Sequence, residues 1–219
     1  VMINRICGDE DTAVYSVIYY LGYAIIAIDQ AAAPVRQAWM YKRLDEKKTK
    51  EIIFIQEWYL LLMLVMAAGV MLAGPEIVKI IAPENYWKYE YIIPLVPSAC
   101  MMGLYRFFTE IILFYKKNIT LSMCVMACSL INIGLNAVLI PKVGAVAACY
   151  TTVVAYSILF ILTWIVSVKF CGKVYSGKWF VFYIAACVVL SVLQRCLLDY
   201  MWIRFSIIVL IIVSTCVYA

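Results

Sequence analysis

The chain has 219 residues, of which 67% are hydrophobic and 14% charged, and its mean hydropathy is +0.96. Soluble domains are only about 45–50% apolar, so this composition excludes an ordinary soluble domain and indicates a protein that crosses a membrane repeatedly. The net charge of +5 does not indicate nucleic-acid binding, because the basic excess lies beside the ends of hydrophobic runs, where it sets membrane topology.

Seven hydrophobic runs approach the length that a helix needs to cross a bilayer, about 20 residues. In chain order they are Val14–Ala33, Ile52–Ala73, Tyr91–Tyr115, Ile119–Leu139, Ala145–Val168, Trp179–Leu198 and Ile203–Ala219. None shows the alternation of apolar and polar residues that membrane strands require, so we predict an all-α, polytopic transmembrane helix bundle. Because Val1–Cys7 has the character of a helix end, we expect seven complete spans plus the end of a truncated one, from a longer protein.

Basic residues crowd into every second connection between these runs. The connections Pro34–Glu51, Lys116–Asn118 and Lys169–Lys178 hold eleven lysines and arginines, whereas the opposite side holds five. Those five are Lys79, Lys88, Lys142, Arg195 and Arg204. Because basic loops stay in the cytoplasm, we predict that the three richer connections are cytoplasmic and that the first run enters from outside.

Cysteine and histidine usage argues against several kinds of site. The nine cysteines are odd in number and form no CxxC pair, and the chain has no histidine. We therefore expect no disulfide framework, no zinc or other metal site and no histidine-based catalysis. Phosphate-binding glycine motifs are also missing from the sequence, so we predict no cofactor.

Two ionisable residues of the third run, Arg106 and Glu110, lie at membrane depth. Their i, i+4 spacing puts them on one helix face, where they can pair with each other. A charge at the bilayer centre costs about 2.5–3.5 kcal/mol on insertion scales, so such residues usually face the protein interior or water. Two interpretations stay open, a substrate-facing role and a structural salt bridge inside the bundle.

Asp29, Gln30 and Glu57 fall at a similar depth, in the predicted cytoplasmic half. Together with the arginine–glutamate pair they predict a polar layer and a hydrated cavity, although Asp29 and Glu57 alone could simply reach the interface.

Three further polar residues are candidates for the same cavity. Asn132 and Asn136 again follow i, i+4 spacing, and they could bond to a neighbouring helix or contact a substrate. Arg5 could be a cavity residue or an interface anchor.

Several strings resemble, in the same order, the polysaccharide biosynthesis or O-antigen (Wzx-type) flippases. That family belongs to the superfamily of multidrug and toxin extrusion carriers and lipid II flippases. The strings are Asn4-Arg5 with Gly8, Val14–Ser16, Gly74–Ile81 with Tyr86, Ile92–Leu95, Gly103–Phe108, Tyr115–Asn118 and Leu130–Ala145. The chain departs from the family pattern where Asn4 replaces an aspartate and where Ala147 replaces a glycine. The resemblance covers about residues 1–170.

This resemblance implies the C-terminal half of a fourteen-helix carrier, one of two bundles around an inverted V-shaped cavity. Residues 1–168 would form the C-terminal transmembrane bundle and 169–219 two additional peripheral helices. The implied location is the bacterial cytoplasmic membrane. The implied activity is transport, not enzymatic catalysis, of undecaprenyl-diphosphate-linked oligosaccharide units for O-antigen, capsule or exopolysaccharide. Membrane lipids, a polysaccharide polymerase and chain-length proteins would be its partners.

The resemblance also suggests roles for the polar residues. Arg106 would contact the diphosphate or sugar and Glu110 would tune it, while Asp29 and Glu57 would be candidates for ion coupling. The remaining substrate-binding candidates are Arg5, Asn132 and Asn136. Two alternatives remain. One is a multidrug or toxin exporter of the same superfamily, and the other is a membrane-embedded transferase of the polysaccharide pathway, which would need a catalytic loop.

The predicted topology can be tested by placing single cysteines in a cysteine-free background. We expect Lys47→Cys and Lys173→Cys to escape an impermeant thiol reagent on intact cells and to react after permeabilisation. Lys88→Cys, in a predicted outer connection, should react from outside. Labelling of position 47 or 173 on intact cells would contradict the orientation.

Overall fold

The computed structural model describes residues 2–172 and 177–218, and every regular element in these ranges is helical. The helices are α1 (Met2–Cys7), α2 (Asp9–Asp45), α3 (Thr49–Ile81), α4 (Ile92–Phe114), α5 (Asn118–Val143), α6 (Val146–Cys171), α7 (Gly177–Cys196) and α8 (Met201–Tyr218). Two short 3₁₀ turns, Glu84–Tyr86 and Tyr89–Tyr91, connect α3 to α4. The predicted all-α class is confirmed.

Six segments are long and apolar enough to cross a membrane, as expected for a multi-pass bundle. They are Asp9–Asp45, Thr49–Ile81, Glu84–Phe114, Asn118–Val143, Val146–Cys171 and Gly177–Cys196. The described apolar part of α8, Met201–Thr215, is shorter than these six, so a seventh complete span remains a prediction. The predicted cytoplasmic connection Lys169–Lys178 lies partly outside the described residues, at 173–176.

The first predicted connection, Pro34–Glu51, is mostly helix. α2 runs without a break from Asp9 to Asp45, with Pro34 inside it. Thirty-seven residues of α-helix extend about 55 Å, so α2 is longer than the hydrocarbon core of a bilayer. The basic connection is thus largely a continuation of α2, and Arg36 lies on the same helix as Asp29.

The turn from α2 to α3 is held by charged pairs. Arg43 bonds to Glu46 at 2.7 Å and to Glu51 at 2.8 Å, and Lys48 lies 3.0 Å from Glu46. The hydrogen bonds from Lys48, which has the larger effect, and from Arg43 lower the pKa of the exposed Glu46 carboxyl. The turn keeps its basic excess, and acidic neighbours weigh little in the positive-inside rule.

α4 forms the centre of the bundle and packs against α2, α3, α6 and α7. The Phe108 ring lies 5.6 Å from Phe160 of α6 and 5.3 Å from Phe180 of α7. Tyr183 and Cys187 of α7 belong to the same buried core. The predicted separation of residues 169–219 as peripheral helices is untested, but one face of α7 is part of this core.

Gly103 allows a close approach of α3 and α4. A Cβ atom at this position would lie 1.9 Å from the Met63 Cε atom and 3.3 Å from the Tyr59 hydroxyl. The Tyr59 hydroxyl lies 3.1 Å from the Gly103 carbonyl oxygen, within hydrogen-bonding distance. The absence of a side chain thus lets Tyr59 reach α4 and, beyond it, an aspartate of α2.

A buried arginine attaches the start of α8 to α3. The sequence groups Arg204 with the charges of an outer connection, but the structure leaves it only 1% exposed. Its Nη1 donates to the Leu72 carbonyl at 2.7 Å and to Glu76 Oε2 at 2.9 Å, and Nη2 pairs with Glu76 Oε1. Pro75 of α3, which lacks an N–H, interrupts the helical hydrogen bonds beside this carbonyl.

We expect Arg204→Ala to lower the free energy of unfolding by about 3 kcal/mol, because it leaves Glu76 without its cation in a largely buried position. Arg195→Ala is the matched control, since Arg195 is exposed at the end of α7. Denaturant titration of the purified protein in detergent measures the difference. Equal midpoints for the two variants would contradict the structural role of Arg204.

Candidate functional site

A cluster of charged side chains lies inside the bundle, which we call the charge network. Its charged members are Asp29 and Arg36 from α2 and Arg106 and Glu110 from α4. The uncharged Tyr59 of α3 belongs to the network because its hydroxyl bonds to Asp29. The exposed side-chain fractions are 0% for Asp29, 9% for Arg36 and 8% for Glu110, whereas Arg106 keeps 25%. Arg106 is therefore the member of the network that a ligand can reach most readily.

Arg36 is the centre of the network. Its Nε and Nη2 atoms donate to Glu110 Oε1 at 3.0 and 2.7 Å, and Nη1 pairs with Asp29 Oδ1. The guanidinium carbon also lies 4.7 Å from the centre of the Tyr59 ring, within range of a cation–π interaction. The Tyr59 hydroxyl donates to Asp29 Oδ1 at 3.0 Å. One arginine thus neutralises a carboxylate of α2 and a carboxylate of α4, while its guanidinium packs on the Tyr59 ring of α3.

Arg106 contacts the network through Asp29, since its Nε lies 3.1 Å from Asp29 Oδ2. Arg106 thus forms a salt bridge inside the bundle, but its partner is Asp29 and not, as the i, i+4 spacing suggested, Glu110. Each residue pairs with α2 instead. The reason is energetic, because an i, i+4 pair contributes only about 0.2–0.5 kcal/mol, whereas Arg36 offers Glu110 a charge-assisted double hydrogen bond.

Sequence reasoning missed Arg36 and Tyr59. The sequence places Arg36 among the basic residues of the Pro34–Glu51 connection, seven residues after Asp29 and two turns along the same helix face. That spacing is a usable signal only if the helix continues past Pro34. Tyr59 carries no charge and gave no signal. The predicted polar layer is therefore real in Asp29, Arg106 and Glu110, while half-buried Glu57 lies outside the ion pairs found in the described ranges.

The four charged members of the network balance to zero, two arginines against two carboxylates. Inside an apolar bundle each charge is expensive to desolvate, and removing one partner from a buried pair costs about 3–5 kcal/mol. Because the partners lie on different helices, this energy holds α2 and α4 in one register. The network is thus a structural joint with one partly exposed cation, Arg106.

A second feature is a cavity of about 440 Å³ between α2, α4, α5 and α6. Tyrosines from three helices line it, and we call it the tyrosine cleft. These are Tyr15 and Tyr19 from α2, Tyr105 from α4 and Tyr156 from α6. α5 contributes Ser129 and Asn132, and none of the lining residues is charged.

The tyrosine rings lie in parallel pairs. Tyr15 and Tyr19 are stacked at a centroid distance of 5.8 Å with 19° between their planes, and Tyr105 and Tyr156 are stacked at 6.1 Å with 12°. The stack on α2 continues to Tyr23, 6.1 Å from Tyr19. This follows from the sequence, because residues 15, 19 and 23 repeat at four-residue spacing and share one helix face.

The two predicted asparagines have different surroundings. The Asn136 amide donates to Asn132 Oδ1 at 2.9 Å and accepts a hydrogen bond from the Thr151 hydroxyl of α6. The prediction of a bond to a neighbouring helix is confirmed for Asn136, whereas Asn132 lines the tyrosine cleft. Arg5 is exposed on α1 and belongs neither to the cleft nor to the ion pairs of the charge network.

The two arginines of the charge network should differ in their effect on stability. We expect Arg36→Met to lower the free energy of unfolding by about 3–5 kcal/mol, because it strips the buried Glu110 of its cation. Arg106→Met should have a much smaller effect, since Asp29 keeps Arg36 and Tyr59. Denaturant titration in detergent compares the two variants. Equal losses would contradict the central position of Arg36.

Comparison of the chain with family models, curated proteins and solved structures found no significant match. The charge network, the tyrosine cleft and the resemblance of the short sequence strings remain as the indications of function.

Proposed function

We propose that this chain is one bundle of a membrane carrier that moves lipid-linked oligosaccharides across the bacterial cytoplasmic membrane. One observation carries the proposal most directly: Tyr105 lines the tyrosine cleft, and the next residue of α4, Arg106, is the partly exposed cation of the charge network. A lipid-linked oligosaccharide combines an anionic diphosphate with uncharged sugars. Neighbouring residues of one helix thus offer a surface for each chemical part.

Arg106 suits a role in which it exchanges partners. It contacts Asp29 through Nε, and Asp29 also has Arg36 and the Tyr59 hydroxyl as partners. Arg106 can therefore turn to a phosphate oxygen without leaving Asp29 unpaired. Its planar guanidinium remains protonated and binds phosphate oxygens bidentately, which a lysine cannot do.

The distribution of buried residues supports a bundle that faces a second one. α4 has fifteen buried residues, whereas α5 has only Cys128 and Ile140. α5 packs chiefly on α6 and leaves most of its surface open next to the tyrosine cleft. In the proposed carrier, a second bundle lies opposite this open side, and the two rock against each other to expose the cavity alternately.

A multidrug exporter is the second candidate, and the tyrosine cleft is the observation that favours it. Aromatic rings attract organic cations, typically with about 0.5–2 kcal/mol per interaction. The cleft lacks an acidic residue to neutralise such a cation, which weakens this candidate. The two substrates are separated by the binding experiment described below.

We expect Arg106→Ala in the full-length protein to abolish surface polysaccharide while membrane abundance is kept. A hydrogen bond to a charged group contributes about 1.5–3 kcal/mol, so substrate affinity should fall about tenfold to a hundredfold. Arg106→Lys should restore activity only in part, because charge returns without the planar fork. Polysaccharide blotting and quantitative immunoblotting of membranes measure the two outcomes, with Arg195→Ala as the control.

A double variant distinguishes transport from a structural pair. If Arg106 only neutralises Asp29, then Asp29→Asn should restore function to Arg106→Ala. Restored polysaccharide in that double variant, with Asp29→Asn alone active, would overturn the role of Arg106 in substrate binding.

A further inference from the structure

We infer that the tyrosine cleft is a binding site for uncharged sugar rings. This inference rests on the proposed function and adds the part of the substrate that the charge network does not recognise. Seven of the twelve residues that line the cleft carry a hydroxyl or an amide group, and none carries a charge. The chemistry of this lining identifies the ligand class.

A sugar ring presents two kinds of surface. Its C–H groups form apolar patches that pack on the negative face of an aromatic ring, and its hydroxyls need hydrogen-bond partners. The lining contains four aromatic rings in two parallel pairs, Tyr15–Tyr19 and Tyr105–Tyr156. A lipid chain would leave the polar groups of the lining unused, and a phosphate would meet no cation there. The volume of about 440 Å³ falls within the range of about 300–1,000 Å³ that small-molecule sites occupy.

Hydrogen bonds within the protein preset donors and acceptors in the cleft. In the part of the chain that the structure describes, Asn132 uses its amide oxygen to accept from Asn136. A side-chain amide has two N–H donors besides its oxygen, so Asn132 presents these to a ligand. The Thr152 hydroxyl donates its proton to the Ala148 carbonyl at 2.6 Å, so its oxygen acts as an acceptor in the cleft, where the Tyr15 hydroxyl also lies within hydrogen-bonding reach.

The cleft and the charge network both use residues of α2, at different heights along the helix. Tyr19 and Tyr156 also line a void of only about 10 Å³ together with Tyr23, and the Gln30 amide donates to the Tyr23 hydroxyl at 3.1 Å. From Tyr15 to Gln30 the helix rises about 22 Å, and Asp29 of the charge network is the residue before Gln30. A ligand with sugars at one end and a diphosphate at the other can therefore contact both sites along one helix.

The test measures binding of free, uncharged oligosaccharides that lack both lipid and phosphate. The full-length protein is placed in lipid nanodiscs, because maltoside detergents are themselves sugars. Saturation-transfer NMR then screens neutral tri- to hexasaccharides built from hexoses and N-acetylhexosamines, with tetraphenylphosphonium as the cationic probe. We expect saccharide binding that the cation does not displace.

Three substitutions locate the site. The Tyr19→Ala, Tyr156→Ala double variant should lose about tenfold in saccharide affinity, because it removes two aromatic faces that each contribute about 0.5–1.5 kcal/mol. Asn132→Ala should also weaken binding, and it leaves the core intact because α5 contributes little to it. Tyr150→Ala is the matched control, since Tyr150 is a tyrosine of α6 that is 50% exposed and does not line the cleft.

Transport of a lipid-linked oligosaccharide in proteoliposomes, measured in parallel, separates the two proposals. Saccharide binding that needs the cleft residues, without transport, would support the cleft and reject the proposed function. Transport by the wild-type protein with saccharide affinity unchanged in both the double variant and Asn132→Ala would reject the cleft and keep the proposed function. Binding of the cation alone at the cleft would overturn the inference.

Discussion

Charge neutralisation inside an apolar bundle is the constraint on which the rest of this structure depends. An ion at membrane depth is stabilised by an opposite charge, so the buried Glu110 requires Arg36, which also pairs with Asp29. Because Asp29 lies on α2 and Glu110 on α4, the ion pairs that Arg36 forms with both carboxylates fix the packing of α2 on α4. Tyr59 of α3 joins the same group, and Gly103 provides the space for it. Three helices are thus positioned by one guanidinium.

This joint also positions the tyrosine cleft. With α2 held against α4, the face of α2 that carries Tyr15 and Tyr19 lies beside Tyr105, and α6, packed on α4, brings Tyr156 to the same cavity. The charge network and the tyrosine cleft are therefore held by the same packing of α2 on α4, although the two sites differ in chemistry. The charge network is compact and balanced, whereas the cleft is open, uncharged and rich in hydroxyls. A substrate with an ionic part and a neutral part matches this division.

The helices differ sharply in how deeply they are buried. α4 is enclosed by its neighbours, while α5 and α8 present most of their apolar side chains outward. α8 is nevertheless attached firmly at its start, because Arg204 cannot remain buried without Glu76. The same rule that organises the centre of the bundle thus also attaches its last helix. In both places a buried arginine bonds two groups and adds to the apolar contacts between the helices.

The sequence by itself determined the helical class and the position of most apolar runs, because hydrophobicity is a local property. It also identified Asp29, Arg106 and Glu110 as unusual at membrane depth. Only the tertiary structure decided their partners. Pairing depends on which helix faces meet, so the local Arg106–Glu110 pair gave way to contacts with α2. Arg36 joined the site because α2 continues past Pro34, and Arg204 became buried because α8 packs on α3.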